Sequence, residues 1–292
     1  MTIETIFVGS DIHSNIEALT AALSAAELEF GEFDDYISPG DVVGYGPNPH
    51  EVIELLREMD FTVVLGNHDE AVATNDYNRV HIHAGNAARI NKEMLEQEYP
   101  DDLKYLQKLD KRPIIMPDRR LAVVHGSFDN NDGPHNEIYC FDGSYHAFDN
   151  SPVAKAVRAL DTKFVRGNGL KIGLFGHTHY PFFGVYERSR RSSKIRQIGE
   201  PSCDVDAQPK TFDLDDEKIV LCNPGSIGQP RNRNPNTHYM VIKYDGDQVT
   251  LYFRNTYYDI GSTQQRMREM NQSKKYTQTF SERIINRLSV GT

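Results

Sequence analysis

Five short apolar runs each lead into a carboxylate, an imidazole or a carboxamide, and this placement constrains the chain more than its composition does. Thr5 to Gly9 runs into Asp11 and His13, Tyr36 to Ser38 into Asp41, and Phe61 to Leu65 into Asn67 and His68. Leu121 to Val124 runs into His125, and Ile172 to Phe175 into His177 and His179. Runs of this length and residue type read as strands. After the first of them Ile16, Leu19, Leu23 and Ala26 recur on one helical face, and after the second Val52, Ile53, Leu56 and Met59 do the same. Strand and helix in alternation predict a sheet with helices packed on it. In such sheets sites form beyond the carboxyl ends of the strands, so these polar residues are expected to converge.

Local signals place the element ends. Ser14 and Glu17 read as a capping box for the first helix, and Asn48 followed by Pro49 as the cap and first turn of the second. His83 to Leu109 reads as one or two helices broken near Pro100. From Phe182 onward the period falls to two, with His238 to Tyr244 and Gln248 to Phe253 joined through Asp245-Gly246, which predicts a second sheet facing the first. The end returns to helix: Ser262 and Gln265 read as a capping box, and Phe280, Ile284, Ile285 and Leu288 form a stripe that packs back onto the body. No repeat or linker divides the chain, which reads as one domain over 1–292 with a helical tail from about 261.

Composition removes several classes of function. With 38% hydrophobic and 25% charged residues the chain can bury a large core. No run approaches the roughly 20 apolar residues that span a bilayer, and the first ten residues lack the pattern of a signal peptide, so the expectation is a cytoplasmic protein without a membrane partner. Cys140, Cys203 and Cys222 lack metal-ligand spacing and read as buried or incidental thiols, so any metal here is expected on nitrogen and oxygen. A net charge of -10 opposes a nucleic-acid partner. The basic run of Arg188, Arg190, Arg191, Lys194 and Arg196 reads as a solvated hairpin.

Each polar block alone fits a bland role. Asp11-Ile12-His13 fits a capping turn, Gly40 to Gly44 a plain turn, Asn67-His68-Asp69 a polar loop, and His125 a hydrogen-bonded histidine. His177-Thr178-His179 says more, because alternate residues of an extended segment point the same way. The set is what carries weight. Its blocks Asp11-Ile12-His13, Gly40 to Gly44, Gly66-Asn67-His68-Asp69, Val124-His125 and Gly176-His177-Thr178-His179 resemble, in order and spacing, those of the calcineurin-like metallophosphoesterase superfamily. Asn223-Pro224-Gly225-Ser226 resembles the block of its small prokaryotic phosphodiesterase-like branch.

The resemblance implies an α/β fold, a four-layer α/β/β/α sandwich of two facing mixed sheets flanked by helices. It implies one divalent metal on Asp11, His13 and His179 and another on Asn67, His125 and His177, with Asp41 bridging. Manganese fits such a donor set first, and iron, zinc, nickel or cobalt also suit it. A dinuclear site of this kind supplies hydroxide for in-line attack on a phosphoester. His68 corresponds to the general acid, the alternative being a hydrogen bond to a ligand, and Arg231 and Asn67 are the candidate substrate contacts. The Asp-Arg pair of protein phosphatases is replaced by Gly44-Tyr45, which leaves His68 without its orienting partner and points to a small phosphodiester or nucleotide-type substrate. A phosphomonoesterase and a non-catalytic scaffold are the rival readings. Gly126 to Asn150 is a candidate substrate-facing or covering loop, and His50, His81, His83 and His238 belong to no block.

Overall fold

The computed structural model describes residues 3–78, 80–126, 128, 169–188, 193–199, 203, 207–214 and 218–292. The 129–150 part of the loop and Cys140 lie outside them, as do the side chains of the basic run. Among the described residues no helix is long and apolar enough to cross a membrane.

Two mixed sheets flanked by helices make up the fold. The first has the order β3-β2-β1-β11-β12-β9, with β1 (Glu4–Val8), β2 (Asp35–Ser38) and β3 (Thr62–Val63) parallel, and β11 (Thr237–Asp245), β12 (Gln248–Thr256) and β9 (Lys210–Asp213) antiparallel beside them. The second has the order β4-β5-β6-β10-β7-β8. Here β5 (Leu121–Val123), β6 (Ile172–Leu174) and β10 (Lys218–Pro224) run parallel, while β4 (Ile114–Met116), β7 (Pro181–Arg188) and β8 (Ser193–Gly199) are antiparallel. The expected turn at Asp245-Gly246 joins β11 to β12, and Arg188, Lys194 and Arg196 of the basic run lie on the paired strands β7 and β8.

Period two decides what each strand buries. On β1, Ile6 and Val8 face the second sheet, where they join Ile37, Met240 and Ile242 against Leu121, Val123, Ile172, Leu174, Val220 and Cys222. Phe7 points the other way, into a cluster with Leu19, Leu23, Val52, Ile53 and Leu56 of helices α1 (Ile16–Phe30) and α2 (Pro49–Glu58). Each such side chain contributes about 1.5–3 kcal/mol relative to exposure. The outer face of the second sheet carries its own apolar cluster, including Ala122, Phe175, Phe182 and Leu221. Cys203 and Cys222 are buried, as expected of thiols without a ligand role.

The remaining helices are α3 (Asn67–Thr74), α4 (Ile82–Glu98), α5 (Pro100–Lys108), α6 (Ile260–Ser273) and α7 (Glu282–Val290). The break at Pro100 stands where the sequence puts it. Ile284, Ile285 and Leu288 of α7 pack with Tyr45, Ala84, Ala87 and Ile90, so the tail does return to the body. Two capping boxes are corrected. Asn15, not Ser14, caps α1 by accepting from Ala18 N at 3.1 Å, and Asp259, not Ser262, caps α6 by accepting from Ser262 N at 3.1 Å. Ser14 has φ 53° and sends its hydroxyl to Asn91 Oδ1 at 2.7 Å, so its oxygen is spoken for by tertiary structure. Asn48 stands at the cap position of α2, but its amide donates to Glu51 Oε1 at 3.3 Å and it makes no capping bond.

Candidate metal centre

Both sets of parallel strands end at one edge of the molecule. Asp11 and His13 follow β1, Asp41 follows β2, Asn67 opens α3 after β3, His125 follows β5, and His177 and His179 follow β6. The backbone at five of these residues is left-handed: φ is 52° at Asp11, 51° at His13, 54° at Asp41, 67° at His177 and 63° at His179. Asp and His tolerate that region better than most residues, yet each still costs on the order of 1 kcal/mol. Cross-links between the loops hold it: Asp11 N donates to Gly40 O at 3.0 Å, His13 N to Asp41 O at 2.9 Å and Gly176 N to His125 O at 2.9 Å. At Gly66 the Asp41 loop approaches so closely that a Cβ would stand 2.2 Å from Asp41 N.

The left-handed turn corrects the reading of His177 and His179. They do not lie on an extended segment and do not point into one group. His179 Nε2 is 3.1 Å from His13 Nε2 and 3.4 Å from Asp11 Oδ1, whereas His177 Nδ1 is 2.9 Å from Asn67 Oδ1. Two groups of donors result: Asp11, His13, Asp41 and His179, and Asp41, His125 and His177, each with its ligand atoms within 4.8 Å of one another. Asn67 Oδ1 adds to the second, 3.0 Å from His125 Nε2. Asp41 belongs to both. Its Oδ2 lies 3.8 Å from His13 Nε2 and 3.3 Å from His125 Nε2, while its Oδ1 accepts from His68 N at 2.8 Å.

The tautomers show what this arrangement can hold. His13 Nδ1 faces Val43 O at 3.2 Å and His179 Nδ1 faces Gln229 O at 2.5 Å, and a carbonyl accepts only from a protonated nitrogen. Burial keeps both rings neutral by pushing their pKa values well below the ordinary histidine range. Both Nε2 atoms therefore turn lone pairs toward each other and toward two carboxylates. A cation satisfies such a set, and these nitrogen and oxygen donors fit a divalent transition metal. In the second group His125 Nδ1 is held by Pro39 O at 2.8 Å. Burial opposes charge on this ring, but Asp41 and Asp11 outweigh it and raise the pKa to about 9, so without a metal a proton on Nε2 bridges to Asp41. Burial would likewise raise Asp41, and the surrounding histidines hold it well below the usual carboxylate range. Burial lifts Asp11 to about 7.

The other residues singled out from the sequence divide cleanly. His68 and Arg231 line a cavity of about 320 Å³ over Asp41, Asn67, His177 and His179. Arg231 Nη2 is 3.4 Å from Tyr45 OH. The Asn223 block touches no candidate ligand side chain; Asn223 Nδ2 donates to Gly176 O at 2.8 Å and Ser226 Oγ to Asp11 O at 2.8 Å, so it braces the ligand loops. His50 lies elsewhere, 2.6 Å from Asp102 and stacked on Tyr99.

Among the polar lining residues, Tyr45, His81, His83, Arg283 and Arg287 escaped the motif reading. One supporting residue, Asn91, did as well, and Asp69 of the third block is a second brace. Asn91 Oδ1 accepts from Ser14 Oγ and Gly44 N, both at 2.7 Å, and its Nδ2 donates to Gly46 O at 2.9 Å. Asp69 accepts from Val43 N and Gly66 N, both at 2.9 Å. Of the residues missed, Arg283 and Arg287 carried a local signal in their spacing of one helical turn beside the apolar stripe.

Known proteins agree with this architecture. A protein of Methanocaldococcus jannaschii that carries no assigned function is 28% identical over 87% of this chain and 88% of its own. Serine/threonine-protein phosphatase 2 of Escherichia coli strain K12 is 28% identical over 59% of this chain and 78% of its own. The crystal structure of a metallophosphoesterase from Sphaerobacter thermophilus superposes over 100% of both chains with a TM-score of 0.71 at 29% identity. The model of the calcineurin-like phosphoesterase superfamily domain matches residues 5–247, from β1 through the turn after β11. On that match the chain, with its buried Asp and His cluster, belongs to the calcineurin-like phosphoesterase superfamily and is a metal-dependent phosphoesterase.

Proposed function

We propose that the chain hydrolyses a small phosphoester with two divalent metal ions, residues 1–292 acting as one catalytic unit. The observation that carries this is the position of Asp41 Oδ2 between the two donor groups, since one oxygen facing both can bridge two cations. Two ions held so would clamp the phosphoryl oxygens and supply a nucleophile at neutral pH. On this reading Asp11, His13 and His179 hold one ion, Asn67, His125 and His177 the other, and manganese is the first candidate.

The chain's own groups do the rest. Ser10 Oγ donates to Asp11 Oδ2 at 2.7 Å and His177 N donates to both Asp11 oxygens at 3.0 and 3.1 Å, which fixes that carboxylate before any ligand arrives. Arg231 contacts the phosphoryl group from the cavity wall, and Asn67 stands at the boundary between ligand and substrate. His68 donates the proton to the leaving oxygen. Burial lowers its pKa to about 4, so the resting ring is neutral, and the charge of a bound phosphoester beside it is what raises it.

The missing Asp-Arg pair favours a diester, and Arg231 on the wall favours a monoester as the second reading. The Escherichia coli phosphatase relative stands on the same side. The test is hydrolysis of bis-nitrophenyl phosphate and nitrophenyl phosphate by the metal-stripped protein, before and after each divalent metal is added. Turnover in the stripped protein, or none with any metal, would rule the proposal out.

A further inference from the structure

The cavity over the candidate ligands is lined by three arginines as well. Arg231 joins Arg283 and Arg287 of α7 along it, and among the described residues none of the three makes an ion pair. That grouping runs against the rest of the chain, which carries 42 acidic residues against 32 basic ones. The wall is fixed in place. Ser281 caps α7, Ile284, Ile285 and Leu288 seat it on α4, and Gly291 at its end accepts from Arg233 N at 2.7 Å, close to the Arg231 loop. Residues 283 and 287 are one turn apart, so both side chains leave the same face.

All three line the cavity that the candidate metal centre opens into. Arg231 lines the same cavity as His68, His177 and His179 and reaches Tyr45 OH at 3.4 Å. Arg287 is lowered by burial first and then by Arg231 and Arg283, so it feels both neighbours. Like charges held together without carboxylates destabilise the free protein, and a bound anion relieves them. One phosphoryl group at the metals can engage Arg231. It leaves Arg283 and Arg287 to be answered by something else. Both lie on a helix beyond the residues 5–247 that match the family domain.

We infer that the substrate carries a second anionic group, such as a second phosphate, which binds Arg283 and Arg287 while the scissile phosphoester lies at the Asp, His and Asn cluster. This rests on the phosphoesterase reading above. The test compares propyl phosphate with alkanediol bisphosphates of three to six carbons, following phosphate release with manganese present and, separately, binding by calorimetry. In the wild type the best bisphosphate is expected to exceed propyl phosphate in kcat/KM by about tenfold or more, the scale of one charge-assisted contact. In Arg283→Gln/Arg287→Gln, at matched metal content and thermal midpoint, the ratio should fall to about twofold, the statistical value for two equivalent phosphates, with Lys at both positions keeping most of it. An unchanged ratio in the Gln pair, or a wild-type ratio near twofold for every spacer, overturns the inference while leaving the phosphoesterase reading intact. Absence of all turnover would remove that reading instead. The calorimetric preference for bisphosphate, and its loss in the Gln pair, then still decides the second anionic group.

Discussion

Gly44 lies flat against His68: a Cβ at position 44 would stand 2.5 Å from the His68 Nδ1 nitrogen. Among the described residues that nitrogen is buried without a hydrogen-bond partner, and the ring is bounded by Tyr45 at 4.6 Å and His13 at 4.8 Å between centroids. Where protein phosphatases orient their histidine with a carboxylate, this chain confines the ring by packing. Gly44 also has φ 112°, which a side chain adopts only with strain. Gly44→Ala is therefore expected to displace His68 and lose activity on the scale of His68→Ala, about 10²- to 10⁴-fold, the range for a positioned acid. Both variants should keep their metal, and the loss should shrink for nitrophenolate leaving groups, which need no proton. Equal losses for nitrophenolate and alkoxide, with chemistry limiting, would refute the acid role.

Asp41→Asn should empty both metal positions, whereas His125→Ala should weaken one. Elemental analysis of the purified variants after equilibration with manganese reads this directly. Asp41→Asn with near-normal metal content would show that this carboxylate does not bridge.

Asn91 ties α4 to the loops of both the first and second blocks. Asn91→Leu strands Gly44 N, Gly46 O and the Ser14 hydroxyl in the interior, and is expected to destabilise by about 3 kcal/mol or more. Because two of those groups position the ligand loops, manganese affinity should fall in the same variant. Denaturant unfolding and a metal titration check the two effects, and a stability loss below about 1 kcal/mol would mean that water replaces all three bonds.

Much of this centre was legible because a ligand type at a strand end needs only local sequence to be seen, and parallel strands bring their ends together whatever lies between. All seven candidate ligands were found that way. How each side chain is shared came from the family resemblance and not from any local pattern. His177 and His179 look alike in an extended reading, and only the left-handed backbone sends them to different groups. Ser14 has the identity of a cap yet is claimed by Asn91, a partner 77 residues away. Arg283 and Arg287 join the cavity through the packing of α7; its apolar stripe told that the tail returns to the body, but not that it returns beside the metal centre.

The metal-free site predicts a particular pH dependence. The folded pKa of His125, about 9, lies above its unfolded value near 6.5. Its contribution to stability is thus complete below about pH 6.5 and is lost as pH rises through about 9. Asp11, raised to about 7, adds the same sign between its unfolded value and pH 7. The depressed rings of His13, His177 and His179 act oppositely, but only below about pH 6.5. Between pH 7 and 9 His125 dominates, and over the same span a metal no longer has to displace its proton. The gap in Tm between manganese-loaded and stripped protein should therefore widen from pH 7 to 9. A constant gap would mean that His125 holds no such proton.

The ester preference turns on Arg231. Its side chain reaches the cavity wall, held at Nη2 by Tyr45 OH and by Gln229 Oε1, each at 3.4 Å, while its Nε is buried without a partner. Those contacts are long and leave donors to spare, so the guanidinium is placed for an acceptor that arrives with the substrate. A monoester dianion offers more charge and more oxygen to that fork than a diester does. A diester offers one charge, which the metals alone can hold, and needs room for a second ester group. Arg231→Ala should accordingly lower kcat/KM for nitrophenyl phosphate by about 10- to 100-fold, the value of a charge-assisted contact, and lower it several-fold less for bis-nitrophenyl phosphate. If the wild type prefers the monoester and the variant does not, the protein is a phosphatase and the diester reading falls. If the wild type prefers the diester and the variant merely widens that preference, the metals dominate substrate choice and Arg231 only trims it.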